Sequence, residues 1–257
     1  MRADRLRVSH AGARMAGKVA IVTGSSRGIG RAIARRLGAD GVRVLVNYHG
    51  ERAAAESVVT AIRAGGGDAL SVQGDVTDTG QVRSLFDTAE REFGGIDIVV
   101  SNVGKPWFSS IAEATDEDYE RNFTMNTRTT FAVLRAAANR LNDGGRIVVV
   151  SSGVVATHRR GAGLYAASKA AGDELVRVLA GELGSRGITV NSVLPGATRT
   201  EALTASQLAE VLERLAAEVP LGRIGEPQDV ADVVAFLAGH DGRWITGQAL
   251  HAGGGVF

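Results

Sequence analysis

The sequence predicts an α/β fold, a single doubly wound parallel sheet with helices on both faces. Three observations lead there. Short runs rich in β-branched residues recur along the chain, alanine-, leucine- and arginine-rich segments of helical spacing separate them, and the 34 glycines cluster where strands end. Such apolar runs read as strands buried on both faces, and strand alternating with helix implies parallel pairing through right-handed crossovers. In sheets of this kind, ligands sit beyond the carboxyl ends of the strands.

In chain order, the strand candidates are "KVAIVTG" from Lys18, "VRVLVNY" from Val42, "ALSVQGD" from Ala69, "IDIVVSN" from Ile96, "RIVVVSS" from Arg146 and "ITVNSVLPG" from Ile188. Between them lie helical segments such as "RAIARRLGAD" and "SVVTAIRAGG", several closed by glycine as helices commonly are. No proline-rich linker or solenoid repeat interrupts the pattern, so residues 16–257 read as one domain. Residues 1–15 carry four arginines and little hydrophobic pattern. They read as a flexible arm, with Met15 where the folded unit begins.

Composition narrows the function. The 29 basic and 28 acidic side chains leave a net charge of +1, which describes solubility and not polyanion binding. The absence of cysteine excludes disulfides, thiolate nucleophiles and cysteine-bound metals. No apolar run approaches the roughly 18 residues that span a bilayer, and the start lacks the apolar stretch of a secretory signal. The expectation is a cytoplasmic protein without a membrane, nucleic-acid or metal partner.

Directly after the first strand comes "TGSSRGIG", in which Gly24, Gly28 and Gly30, with Ser26, Arg27 and Ile29 between them, lead into "RAIARRL". The spacing differs from G-x-G-x-x-G, but the physics is shared: glycine lets the backbone approach a pyrophosphate, whose charge meets the amides of a helix N-terminus. Alone this is equally a tight connection; strand before and helix after favour the nucleotide. The second strand ends "VLVNYHG", where Asn47 and Tyr48 supply no carboxylate for the ribose hydroxyls of NAD. Arg27 supplies a cation for a ribose phosphate, so NADP(H) is expected over NAD(H). The competing reading leaves Arg27 solvated and Asn47 capping the next helix, and nearby Glu51 is the residue that most opposes the NADP expectation.

Tyr165 and Lys169, in "GLYAASKAAG", are four residues apart and share one face of a helix. A cation beside a phenol favours the phenolate and lowers a pKa that is ordinarily about 10. By themselves the two residues read as an amphipathic pair, and only the other motifs favour a functional reading.

"TGSSRGIG", "GDV" at Gly74 to Val76, "SNVG" at Ser101 to Gly104, Asn126 in "TMNT", Ser152 in "VVVSSG", "YAASK" and "VLPGATRT" at Val193 to Thr200 together resemble the short-chain dehydrogenase/reductase family in order and spacing. The resemblance spans about residues 16–257 and is greatest to the NADPH-dependent branch that contains trihydroxynaphthalene reductases and 3-oxoacyl reductases. It implies a Rossmann-type sheet of about seven strands. It further implies that Asp75 binds the adenine amino group with Val76 against the ring, and that Asn102 and Gly104 line the adenosine side. Thr198 and Thr200, after Pro195 and Gly196, would meet the nicotinamide amide. Asn126, Ser152, Tyr165 and Lys169 would be the catalytic set, with Tyr165 as general acid, Lys169 lowering its pKa and holding the nicotinamide ribose, Ser152 orienting the carbonyl and Asn126 anchoring a water chain. Ser101 and Val103 depart from the family's usual residues.

The expected function is NADPH-dependent reduction of a ketone to a secondary alcohol, in a protein that family members lead one to expect as a homotetramer. Reduction of 3-oxoacyl groups on an acyl carrier protein is the narrower alternative, and a non-catalytic NADP(H) sensor is the alternative from another class. Near the substrate, Trp107 and Phe108 read as an apolar wall or as core, and His158, Arg159 and Arg160 as an anion-attracting loop or as a solvated cluster. Residues 197–219 read as a helical lid or as an ordinary surface helix.

Overall fold

The computed structural model describes residues 15–206 and 208–257. The arm expected before Met15 lies outside the described residues. Met15 itself is 4% exposed and packs into the core, so the folded unit includes it.

Seven strands form one sheet: β1 (Val19–Val22), β2 (Arg43–Tyr48), β3 (Ala69–Gln73), β4 (Ile98–Ser101), β5 (Arg146–Val150), β6 (Thr189–Pro195) and β7 (Ala249–Ala252). The helices are α1 (Gly28–Ala39), α2 (Arg52–Ala64), α3 (Thr79–Phe93), α4 (Asp116–Asn122), α5 (Thr129–Arg140), α6 (Val154–Thr157), α7 (Gly163–Leu183), α8 (Glu201–Ser206), α9 (Ala209–Ala217) and α10 (Pro227–Ala238). All six strand pairs are parallel, in the order β3-β2-β1-β4-β5-β6-β7. The chain winds outward from β1 to β3 and returns to place β4 on the other side of β1. A crevice therefore opens between the carboxyl ends of β1 and β4, where strand order reverses.

Successive strand residues point to opposite faces, which divides the core in two. On one face Ala20, Val22, Val44, Val46 and Val100 pack with Ile33 and Leu37 of α1, Val58 and Ile62 of α2, and Val230 and Val234 of α10. On the other, Ile21, Leu45, Val99 and Ile147 pack with Leu85 and Phe86 of α3, Val133 of α5 and Val176 of α7. Caps punctuate these helices. Asp78 accepts hydrogen bonds from the Gly80 and Gln81 amides at 2.7 and 3.1 Å to start α3, and Gly94 stops it at a left-handed φ of 82°.

Two elements were not legible as segments. Between α4 and α5, residues Phe123–Arg128 form a π-helical turn, continued by the Thr129 and Thr130 hydroxyls, which donate to the carbonyls of Met125 (2.6 Å) and Asn126 (2.7 Å). Such turns often mark functional positions. The other is β7, whose residues Ala-Leu-His-Ala lack the β-branched signature of the other strands. Tertiary pairing with β6 makes it a strand. Asn191 of β6, fully buried, donates to the Ile245 carbonyl at 2.7 Å and accepts from the Gln248 amide at 3.1 Å, anchoring the approach to β7.

Asn191→Leu would leave both backbone groups without their partner, at about 1–3 kcal/mol for each group left unpaired. We expect urea denaturation to show a loss of about 2 kcal/mol or more by this reasoning; an unchanged midpoint would show that residues 245–248 find other partners.

Candidate active site

The turn after β1 is made of glycine and braced by asparagine. Gly24 and Gly28 have φ values of 59° and 54°, which glycine adopts without steric penalty. Gly30 is required by crowding: a β-carbon there would lie 2.5 Å from the Gly24 carbonyl oxygen and 2.6 Å from the Asn102 amide nitrogen. From the end of β4, Asn102 Nδ2 donates to the carbonyls of Thr23 (3.0 Å) and Gly24 (3.2 Å). From β2, Asn47 Oδ1 accepts from the Gly24 amide at 3.0 Å while its Nδ2 donates to the Gly74 carbonyl at 3.0 Å. Asn47 thus borders the cleft as a buried brace between the ends of β1 and β3. The capping role considered for it does not occur, since α2 begins at Glu51 without a side-chain cap.

Beyond the strand ends lies a cleft of about 740 Å³, within the size range of small-molecule sites. Its wall holds the glycine turn with Ser26, Arg27 and Ile29 and, against Gly28, Thr200; it also holds Tyr48, Asp75, Val76 and Asn102, and Gly104 beside Lys169 with Tyr165. Pro195, Gly196 and Thr198 are not in that wall; Thr198 Oγ1 turns back to the Gly196 carbonyl at 3.0 Å. Asp75 Oδ1 is engaged locally by the Thr77 amide (2.9 Å) and hydroxyl (2.8 Å). Arg27 Nη1 lies 2.7 Å from Glu51 Oε1, with both side chains more than half exposed. An exposed pair of this kind contributes little, so Glu51 leaves Arg27 able to exchange partners.

Farther along, α7 carries Tyr165 and Lys169, and Ser152 follows the end of β5. The Ser152 hydroxyl accepts from the Val154 amide at 3.3 Å and lies close enough to the Tyr165 phenol to favour its charged form. Lys169, 5% exposed, donates from Nζ to the Val150 carbonyl at 3.0 Å. Gly104 lets the β4 loop pass close by: a β-carbon there would stand 2.5 Å from Lys169 Nζ and 2.9 Å from Asn126 Oδ1. Asn126, on the π turn and 1% exposed, clamps that loop, accepting from the Lys105 amide at 2.9 Å and donating to its carbonyl at 3.1 Å. Its side chain satisfies backbone groups, the plainer of the roles open to a buried asparagine.

The electrostatics depart from the sequence expectation. Burial pushes the Tyr165 phenol above its usual value, and the nearby Ser152 hydroxyl only partly opposes this. Lys169 was expected to lower that pKa; here burial lowers its own to about 8, with Asp173 acting in the other direction. A low-dielectric site penalises the charged form of each group, and in this cleft that effect exceeds their mutual influence.

The mouth is aromatic and basic. The Phe108 ring stands edge-on to Tyr165 at 5.9 Å with the Arg159 guanidinium 5.2 Å from its centre, and Trp107 lies between Lys105 and Arg121. His158 is the one non-glycine residue with positive φ (49°) among the described residues. The expected lid comprises two helices, α8 and α9, in place of one.

Glu201, at the start of α8, was missed by sequence reasoning. Its Oε2 accepts from the Gly28 amide at the N-terminus of α1 (3.2 Å), and its Oε1 pairs with Arg31 Nη2 (2.5 Å). Its carboxyl is held below the usual range by its own amide, Arg31 and Gly28, against a smaller effect of burial. The sequence shows only an acid in the first turn of a helix, which reads as dipole compensation.

A family model described as "Enoyl-(Acyl carrier protein) reductase" matches residues 24–257. The chain is 43% identical to an NADPH-dependent aldehyde reductase-like protein, chloroplastic, of Arabidopsis thaliana, covering 94% of each chain. It is 42% identical to versicolorin reductase of Emericella nidulans, covering 95% of this chain and 97% of the relative. Among solved structures, an angucycline C-6 ketoreductase with bound NADP superposes with a TM-score of 0.89 at 40% identity, covering 95% of this chain and 96% of that one.

Glu201→Gln should tighten NADPH binding, because an anion would then meet Gly28 and Arg31 without a competing carboxylate. At low ionic strength, interactions of about 0.3–1 kcal/mol at a helix terminus correspond to a fall in Kd of about two- to fivefold. Fluorescence titration of the two proteins checks this; weaker binding by the variant would assign Glu201 to holding the dinucleotide.

Proposed function

Because the chain belongs to the short-chain dehydrogenase/reductase family, we propose that it reduces a ketone to a secondary alcohol with NADPH, using Tyr165 as general acid. The observation that carries this reading is Tyr165 and Lys169 together in the wall of the cleft that begins at the glycine turn, with the Ser152 hydroxyl close to the phenol. The enzyme is an NADP-dependent oxidoreductase, as its relatives are.

The residues fit the dinucleotide. Gly30 leaves no room for a side chain at the turn, and the Gly28 amide already donates to an anionic oxygen, that of Glu201. The turn would take the pyrophosphate, Arg27 the ribose phosphate, Asp75 and Val76 the adenine, Thr200 the nicotinamide end and Lys169 the nicotinamide ribose. When bound, NADPH supplies the hydride.

The chain's own residues handle the oxygen. As negative charge develops there, the Ser152 hydroxyl donates a hydrogen bond that fixes the carbonyl against Tyr165, and the phenol transfers its proton. The raised pKa of Tyr165 keeps the phenol protonated before reaction, which suits an acid. Charged Lys169 beside it stabilises the phenolate left behind. Asn126, through its clamp on Lys105, keeps the β4 loop where Gly104 meets Lys169.

The substrate class that best suits the mouth is an aromatic ketone, favoured by Phe108 against Tyr165 and by the similarity to a versicolorin reductase and an angucycline C-6 ketoreductase. The carrier-protein reading has support in the description of the matching family model and in the exposed Arg159 and Arg160. We place the protein in the cytoplasm. No helix among the described residues is long and apolar enough to cross a membrane.

NADPH should bind more tightly than NADH and be oxidised in a panel of aromatic, aliphatic and acyl-thioester ketones. Tyr165→Phe should lower kcat by about 100-fold or more, the usual contribution of a positioned acid, with NADPH binding retained. Equal turnover by Tyr165→Phe would remove Tyr165 from the mechanism, and the best ketone decides between the aromatic and carrier-bound substrates. A homotetramer is also expected, supported by the exposed apolar Phe131, Val178 and Trp244; light scattering showing a stable monomer would overturn it.

A further inference from the structure

Behind the catalytic pair lies a buried acid that the mechanism above does not use. Asp173 stands one helical turn beyond Lys169, as Lys169 stands one turn beyond Tyr165, so the three side chains share a face of α7. Asp173 is 3% exposed, Lys169 is 5% exposed, and Ser151, the residue before Ser152, donates from Oγ to Asp173 Oδ2 at 2.9 Å. Asp173 Oδ1 has no hydrogen-bond partner among the described residues. Ser192 of β6 lies close enough to favour the carboxylate, though its hydroxyl makes no well-formed hydrogen bond. A buried carboxylate with an unfilled oxygen is costly unless a cation compensates it.

We infer that Asp173 is a positioning residue for the reaction, a buried counter-charge that keeps Lys169 in its ammonium form and ties the Ser151–Ser152 end of β5 to the catalytic helix. This rests on the reading of Lys169 and Tyr165 given above. The groups around Lys169 leave Asp173 as its source of negative charge. Tyr165 is the other titratable neighbour on α7, while β5 presents the Val150 carbonyl and the π turn and β4 loop present Asn126 and Gly104, all uncharged. Arg177, one turn further along α7, acts on Asp173 in turn.

The direction follows from the signs. Burial lowers Lys169 to about 8 and Asp173 raises it against that trend. Lys169 is therefore charged below about pH 8 and loses its charge as pH rises through that value. Removing the carboxylate moves this loss to lower pH, into the range where the enzyme must work. Restoring a carboxylate at the same position reverses it.

The test is NMR titration of the Lys169 side-chain nitrogen in the full chain, for the parent, Asp173→Asn and Asp173→Glu. We expect the midpoint to fall by about one pH unit in Asp173→Asn, the low end of what a nearby opposite charge produces, and to return in Asp173→Glu. An unchanged midpoint in Asp173→Asn, or an equal fall in both variants, overturns the inference. If Asp173→Asn does not fold, Lys169→Met gives the reciprocal reading, since coupling is mutual: the Asp173 carboxyl should titrate about one unit higher than in the parent, and no change overturns the inference. In kinetics with NADPH and α-tetralone, the limb where kcat falls as pH rises should move down with the Lys169 midpoint. Loss of the mechanism shows separately, as full turnover by Tyr165→Phe, and leaves the titration result standing.

Discussion

The amide braces of Asn47 and Asn102 hold together the part of the molecule on which the cleft depends. Parallel strands end with free backbone groups, and at the β1–β4 crevice the chain must also reverse sharply through glycine. Glycine permits the reversal but does nothing to fix it. Asn47 ties the Gly24 amide to the Gly74 carbonyl, and Asn102 ties the Thr23 and Gly24 carbonyls to the end of β4. The carboxyl ends of four strands, β1, β2, β3 and β4, are thereby tied together around the turn that leads into α1.

A second constraint governs the catalytic end, where ionisable groups are placed out of water. Burial raises Tyr165 and Asp173 and lowers Lys169, so each is pushed toward its neutral form. That suits the phenol in the proton-donor role proposed for it. It does not suit the lysine, and a carboxylate one turn along α7 is the physical remedy. Stacking the three on one helix face couples their protonation, so an apparent pKa at this site belongs to the group and not to one residue.

The rim is built from weaker interactions. Arg27 with Glu51, and Arg31 with Glu201, are exposed pairs, and each links the glycine turn to a separate segment. Pairs of this strength exchange readily for a phosphate. The floor of the cleft is therefore tied by asparagine hydrogen bonds and its edge by exposed ion pairs.

Much of this was legible in the sequence because it is local. The alternation of β-branched runs with helical segments located six strands, the glycine turn marked one wall of the cleft, and the spacing of Tyr165 and Lys169 put them on one helix face. β7 escaped because Ala-Leu-His-Ala has no strand signature and pairs only because β6 is there to receive it. Asn47 read as a cap or a ligand contact, since nothing local shows that Gly24 lies against one end of its amide and Gly74 against the other. Glu201 is 173 residues from the Gly28 amide it accepts from, and only the fold brings them together. The tertiary structure alone also decided the direction of the Tyr165 shift. Sequence spacing places a cation beside a phenol, but a pKa depends on how much water each group loses, and that is set by every element packed around it.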